Sequence, residues 1–262
     1  MISCQSIGTN GRFGNQMFQY ATLYALGKEL HYEIGVPYNQ RSENDKLDFC
    51  LSDAFDLSAS DSSKNFMSSM YIEPHFNYDA NIHNIPDNCD IRGYFQTEKY
   101  FKKYKKDLIN KEFKFKQSIE TQANELFAGK DCDVVALHMR LGDYLNVPEC
   151  HPICSIEYYK ESLKLIPADV QIILFSDDYG VANNIIKDLG RHVMMYGSND
   201  KFLDMCLMTK CEYHIIANSS FSWWGSWLSN SKKTIAPKQW FGSSPNMPKN
   251  WDSIYSDGWD II

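Results

Sequence analysis

Residues 134–140 read Val-Val-Ala-Leu-His-Met-Arg, residues 171–178 read Gln-Ile-Ile-Leu-Phe-Ser-Asp-Asp, and residues 213–220 read Tyr-His-Ile-Ile-Ala-Asn-Ser-Ser. Each is a short apolar run that ends in polar residues, the pattern of strands buried on both faces of a parallel sheet, here Val134–Arg140, Gln171–Ser176 and Tyr213–Asn218. Between them stand stretches of helical length: Ser155–Ile166 with Ser155 as its cap, Gly180–Leu189, and Lys201–Lys210. His192–Tyr196 and Lys233–Ala236 read as two more strands, and Phe221–Leu228 as a further helix. So regular an alternation predicts a doubly wound parallel α/β sheet.

Towards the N-terminus the signals are sparser. Gly129-Lys-Asp-Cys-Asp133 reads as a boundary, preceded by a helix at Gln117–Phe127, a basic helix around Glu98–Ile109 and a strand at Ile91–Gln96. Residues 41–86 are polar, with a serine-rich patch at Ser58-Ala-Ser-Asp-Ser-Ser63, and read as irregular or short-helical surface structure. The chain opens with a strand at Ile2–Ile7, a turn at Gly8-Thr-Asn-Gly-Arg-Phe-Gly14, a helix over Asn15–Leu30 and a strand at Tyr32–Val36. Met17, Tyr20, Ala21, Tyr24 and Ala25 fall on one helical face, which the spacing predicts to be buried. This is a second β-loop-α-β unit. At roughly 150 residues per domain the length fits two halves, here 1–129 and 130–262.

Composition narrows the function. With 44% hydrophobic, 14% aromatic and 23% charged residues the chain is neither disordered nor collagen-like. A net charge of −7 argues against a nucleic-acid binder with a broad basic face, while leaving room for a local basic pocket. No apolar run approaches the ~18 residues of a membrane span and no leader is evident, so the expectation is a cytoplasmic protein. In that setting the eight cysteines are expected to be reduced thiols. Asp131-Cys-Asp133 precedes its strand instead of following it, and Cys150, His151 and Cys154 fall short of a ligand set, so no metal is assigned.

In an open α/β sheet, ligands bind beyond the carboxyl ends of the strands. That rule selects four segments. In Gly11-Arg12-Phe-Gly14-Asn15-Gln16 the glycines let backbone approach a ligand at a helix start suited to an anion; the same spacing also fits a tight turn with Asn15 as N-cap. In His138-Met-Arg140-Leu-Gly-Asp143-Tyr144 the arginine fork matches phosphate oxygens, or forms an internal ion pair with Asp143. Ser176-Asp177-Asp178 places carboxylates where base or ribose donors would sit, or caps a helix. Asn218-Ser219-Ser220-Phe221 puts small donors at a helix N-terminus; Trp223, Trp224 and Trp227 read as core packing.

Together these segments resemble glycosyltransferase family 11, the GDP-fucose-dependent α-1,2-fucosyltransferases. The resemblance also runs through Gly93-Tyr-Phe-Gln-Thr-Glu-Lys-Tyr-Phe101, Cys154-Ser-Ile-Glu-Tyr-Tyr159, Phe175-Ser-Asp-Asp178, Ile215–Gly225 and Ala236-Pro-Lys-Gln-Trp-Phe241, in the family's order. It implies a GT-B-like α/β fold: two Rossmann-type halves, each with a mostly parallel doubly wound sheet, and a donor cleft between them. The first half would be the acceptor side and the second would hold the GDP-sugar. Two positions depart from the family pattern. Leu141 stands where a second arginine is usual, which removes any role for that arginine. Arg12-Phe13 replaces the usual Gly-Leu and is similar to protein O-fucosyltransferases, which bears on the acceptor.

The resemblance implies inverting transfer of L-fucose from GDP-fucose to the 2-hydroxyl of a terminal β-galactoside in surface-glycan synthesis, with no cofactor beyond the donor substrate. Arg140, Asp143 and Asn15 are the expected catalytic residues. Gly11, Arg12, Gly14, Gln16, His138, Ser176, Asp177, Asn218, Ser219, Ser220 and Phe221 are the expected substrate-binding residues. Arg140 would stabilise the departing diphosphate, Asp177 would recognise the guanosine half, and Asp143, Glu149 and His151 stand as candidate bases. No nucleic-acid partner or integral membrane segment is expected, and any membrane contact would be loose, through glycan intermediates. Another acceptor, or a silent GDP-sugar-binding protein marked by Leu141, are the alternatives.

Overall fold

The computed structural model describes residues 1–38, 49–196, 198 and 200–262; residues 41–48 of the polar segment therefore lie outside the described residues. The chain forms two compact units, Met1–Lys116 with Asn250–Ser256, and Gln117–Lys249 with Asp257–Ile262. The turn at Gly129–Asp133 falls just after the first helix of the second unit.

The first unit holds a five-stranded parallel sheet in the order β3-β2-β1-β5-β4. Its strands are short: β1 (Ile2–Ser3), β2 (Ile34–Val36), β3 (Ser60–Asp61), β4 (Ser69–Ile72) and β5 (Cys89–Arg92). The strand expected over Ile2–Ile7 ends at Ser3, because the Gln5 N–H donates to Asp90 Oδ1 (2.7 Å) and the backbone then turns. Helix α1 (Phe13–Leu30) starts two residues before the expected Asn15 and is buried from Phe13 to Gly27 on every side except at Asn15. A helix enclosed in this way has no single apolar stripe, which is why the expected one-faced pattern describes only part of it. Strands β3 and β4 lie where irregular structure was expected, beside a single helical turn, α2 (Leu51–Ala54).

The expected basic helix over Glu98–Ile109 is instead broken into 3-10 turns at Glu98–Tyr100 and Lys102–Tyr104, a turn α3 (Lys105–Asp107) and a π turn at Leu108–Glu112. Tyr100, Phe101, Leu108 and Phe113 are all buried, and no uniform helix turns all four inward. Lysines 102, 103, 105 and 106 also repel one another at helical spacing.

The second unit holds a six-stranded parallel sheet in the order β11-β10-β9-β6-β7-β8. Strands β6 (Val134–Met139), β7 (Gln171–Ser176), β8 (Val193–Met195), β9 (Tyr213–Ile215) and β10 (Lys233–Ala236) match the expected runs to within a few residues. The edge strand β11 (Asp260–Ile261) carried no apolar signal. Helices α4 (Gln117–Phe127), α5 (Ile156–Lys164), α6 (Tyr179–Ile186), α7 (Lys201–Thr209) and α8 (Ser220–Trp227) complete the unit. Ser155 caps α5 as expected, its Oγ accepting from Tyr158 N at 3.2 Å. Trp223, Trp224 and Trp227 are buried and pack edge-on or stacked at 4.9–5.8 Å between ring centroids.

Strand β6 pairs with β7 on one side and β9 on the other, so the winding reverses there; in the first unit the reversal falls at β1, between β2 and β5. Ligand sites in doubly wound sheets form at such reversals, beyond the carboxyl ends of the strands. All eight cysteines are free thiols. Among the described residues no helix is long and apolar enough to cross a membrane.

Candidate functional site

In the second unit the loop after β6 is built around Arg140. Its Nη1 meets Asp177 Oδ2 at 2.7 Å, its Nη2 meets Asp143 Oδ1, and its guanidinium carbon lies 5.0 Å from the centre of the Tyr144 ring. Asp177, on the loop after β7, uses its other oxygen to accept the Leu141 N–H at 2.8 Å. One carboxylate thus fixes both the backbone and the side chain of the β6 loop. Gly142 permits this, because a Cβ there would overlap the Asp177 carboxylate. Leu141 is 2% exposed and belongs to the core with Met139, Tyr159 and Leu174, so this position contributes its N–H to the site and its side chain to packing.

His138 is buried against Phe221, with ring centroids 5.7 Å apart, and its Nδ1 has no hydrogen-bond partner. Burial, with the Arg140 charge adding to it, pushes its pKa down to about 3, so the imidazole is neutral at physiological pH. Ser176 Oγ accepts the Asp178 N–H at 3.1 Å, and Asp178 caps α6 through Val181 N at 3.0 Å. Both therefore shape the turn that presents Asp177.

After β9, Asn218 is 2% exposed and its amide nitrogen donates to Pro152 O (2.9 Å) and Trp240 O (3.0 Å). Its side chain ties neighbouring loops together. Ser219 caps α8, its Oγ accepting from Phe221 N at 3.3 Å, and Ser220 opens the helix. Of the three candidate bases, Asp143 is held by Arg140, Glu149 is exposed, and His151 stacks on Tyr144 at 4.6 Å with Nδ1 buried and without a partner. Burial is the main cause that lowers the His151 pKa. The other cysteine and acidic candidates have ordinary roles: Asp133 pairs with Lys232 at 2.6 Å, and Cys154 Sγ lies 3.7 Å from Asn218 Oδ1.

In the first unit the loop after β1 passes through Gly11 at φ +93°, where a Cβ would also press on the Asn15 side chain. Arg12 occupies the N-cap position of α1 with an exposed side chain that does not cap the helix; Gly14 is buried in its first turn. Asn15 sits inside that first turn, so the N-cap alternative does not hold, and its Oδ1 accepts from Gln96 Nε2 at 2.7 Å. Gln16 is 1% exposed; its Oε1 accepts the Cys50 N–H at 3.0 Å, so it supports the loop.

Gln96 was absent from the expected site residues although its segment was singled out. It follows Phe95, a buried residue at φ +52°. A bulky side chain in that left-handed region costs about 1–3 kcal/mol, a strain that surrounding bonds must hold. Tyr144 was likewise missed; its position four residues past Arg140, on a single short turn, was the available signal.

The family model for glycosyl transferase family 11 matches residues 2–262. The chain belongs to this family. It is 28% identical to the O-antigen biosynthesis glycosyltransferase WbnK of Escherichia coli, over 97% of this chain and 99% of that one. It is 31% identical to an α-1,2-colitosyltransferase of Escherichia coli, over 93% and 96%. A galactoside 2-α-L-fucosyltransferase, SEC1 of Bos taurus, is 24% identical over 85% of this chain and 64% of that protein. The solved structure of POFUT1 in complex with GDP superposes with a TM-score of 0.58 at 12% identity, covering 90% of this chain and 97% of that one, a likeness of fold alone. The fold is of the GT-B-like α/β class, as in that solved structure, and the chain is a glycosyltransferase.

Proposed function

We propose that this glycosyltransferase moves L-fucose from GDP-fucose to the 2-hydroxyl of a terminal β-galactoside, with inversion, in the cytoplasmic assembly of a surface glycan. The observation that carries the reading is Arg140, braced by Asp177 at the winding reversal of the second sheet. In the transfer the bond from the anomeric carbon to the β-phosphate oxygen breaks, GDP leaves with the electron pair, and the acceptor oxygen forms the new bond. The charge that accumulates on the phosphate is met by a guanidinium already held in place and by the donors at the start of α8. This requires no metal.

Arg140 faces two carboxylates, so a diphosphate must replace one of them. Asp143 is the candidate, being 48% exposed and on a short surface turn, against 26% for Asp177. Displaced from Arg140, the Asp143 carboxylate takes the acceptor proton. In this reading Asp177 is the brace of Arg140 and its role toward guanosine is secondary. Asn15, with its oxygen engaged by Gln96, offers its N–H donors to a sugar hydroxyl.

The names of the relatives support an α-1,2 linkage and a surface glycan, and the 31% identical colitosyltransferase favours a second reading in which the donor sugar is colitose. The test is GDP release by the purified protein from GDP-fucose and from GDP-colitose. Lactose, N-acetyllactosamine and a non-galactoside serve as acceptors, with EDTA present. A 2-linked product formed only with galactosides and GDP-fucose supports the proposal. Release only from GDP-colitose replaces the donor, and loss of activity in EDTA refutes the metal-free account.

A further inference from the structure

We propose that Glu73 is a positioning residue: its carboxylate holds the turn at Gly93–Gln96 and thereby fixes the Gln96 amide against Asn15. The proposal rests on the reading of Asn15 given above. Glu73 directly follows β4, and its N–H donates to Arg92 O at 2.8 Å. Its Oε2 accepts from Tyr94 N at 2.7 Å and from Phe95 N at 3.1 Å, and its Oε1 accepts from Phe95 N at 3.1 Å. Only glycine fits at position 93, because a Cβ there would overlap the Glu73 side chain. The two N–H groups gathered by the carboxylate belong to the Gly93–Tyr94 and Tyr94–Phe95 peptides, and Phe95 is the residue at φ +52°. The next side chain, Gln96, reaches Asn15 Oδ1 at 2.7 Å.

The loops joined in this way follow β5 and β1, the strands at the winding reversal of the first sheet. Gln19 ties them a second time, its Nε2 donating to Asn10 O at 3.0 Å and to Gly93 O at 2.9 Å. Glu73 therefore stands behind a contact that it does not touch.

Charge enters through burial, which pushes the Glu73 pKa up to about 7 against the pull of the Phe95 and Tyr94 N–H groups. The groups that act on it are Tyr71 from β4, Tyr100 from the turn at Glu98–Tyr100, and His75 two residues along. Both tyrosines are raised well above their ordinary values and remain neutral through this range, which leaves His75 as the other group to control. As a carboxylate Glu73 accepts all three bonds with charge assistance; as a neutral acid it accepts fewer and weaker ones.

The test combines amide hydrogen exchange at Tyr94 and Phe95 with the pH profile of turnover in the intact protein. In the wild type, exchange at both amides, corrected for intrinsic chemistry, should quicken as pH falls through about 7, and kcat should fall about fivefold with the same midpoint. Glu73→Gln should exchange fast and turn over at the low level at every pH, His75→Asn should keep the wild-type limb, and Glu73→Gln should add nothing to Asn15→Ala. Glu73→Asp, which keeps the charge but shortens the reach, should lose protection at both amides and carries the test if Glu73→Gln does not fold. Wild-type protection and an unchanged acid limb in a folded Glu73 variant would overturn the proposal. Protection that depends on Glu73 in a protein without activity on GDP-sugars would count against the transfer reading alone.

Discussion

Replacing Arg140 by alanine separates chemistry from folding in a way the structure lets one estimate. The side chain is 16% exposed and holds Asp177 and Asp143, which are 26% and 48% exposed. Once it is removed, Asp177 retains the Leu141 N–H and some water, so the loss of stability should be about 1–2 kcal/mol, the scale of a charge-assisted hydrogen bond at a half-exposed site. For a chain of this size that corresponds to a fall in Tm of about 2–8 °C. The catalytic loss should be far larger. Removing one fixed donor from a developing oxyanion typically lowers kcat by about 10²–10³, and here two carboxylates would also be left facing the diphosphate. Differential scanning fluorimetry and continuous GDP-release kinetics read the two effects on one sample, and titration calorimetry with GDP reads the ground state. Arg140→Lys should recover the charge without the fork and leave turnover at least about tenfold low. Turnover within about threefold of wild type in a folded Arg140→Ala protein would refute the phosphate role.

Gly142→Ala should push the Asp177 carboxylate off Arg140 and lower kcat/KM by about tenfold, and its effect should vanish in an Asp177→Ala background. Gln16→Ala leaves the buried Cys50 N–H without its acceptor and should cost about 1–3 kcal/mol, read as a lower urea midpoint at an unchanged slope. His214 Nε2 donates to Met208 O (2.8 Å) in the core while its Nδ1 pairs with Ser231 Oγ (3.0 Å), and burial pushes its pKa down to about 4. Because the folded value lies below the unfolded ~6.5, its contribution is fully present above pH ~6.5 and is lost as pH falls through about 4. Asp204 and Glu73, raised to about 6 and 7, act with the opposite sign, so the measurement is the difference in pH dependence between wild type and His214→Asn: the acid loss should be shallower in the variant.

What could be read from the chain depended on whether a feature was enclosed by apolar neighbours or by polar ones. β7 and β10 matched residue for residue because strands covered on both faces must be apolar throughout and stop where the sheet meets solvent. β3 and β4 lie at the edges of their sheet: Ser60, Asp61, Met70 and Ile72 are exposed, so nothing selected the alternation that would have announced them. The same distinction explains the site. That Arg140 would stand at the end of a buried strand, with Asp143 three residues on, followed from local order alone. That Asp177 would brace it did not, since the pairing of β6 with β7 brings a separation of 37 residues, 140 to 177, down to one ion pair. Asn15 and Gln96 were both in segments singled out by the resemblance, yet their bond depends on β5 lying next to β1 and on a strained Phe95 between them. Residue types at strand ends thus mark where ligands are met, while the residues that aim them come from the neighbouring strand. In this chain both aiming residues, Asp177 and Glu73, are carboxylates set against a glycine that has no room for a side chain.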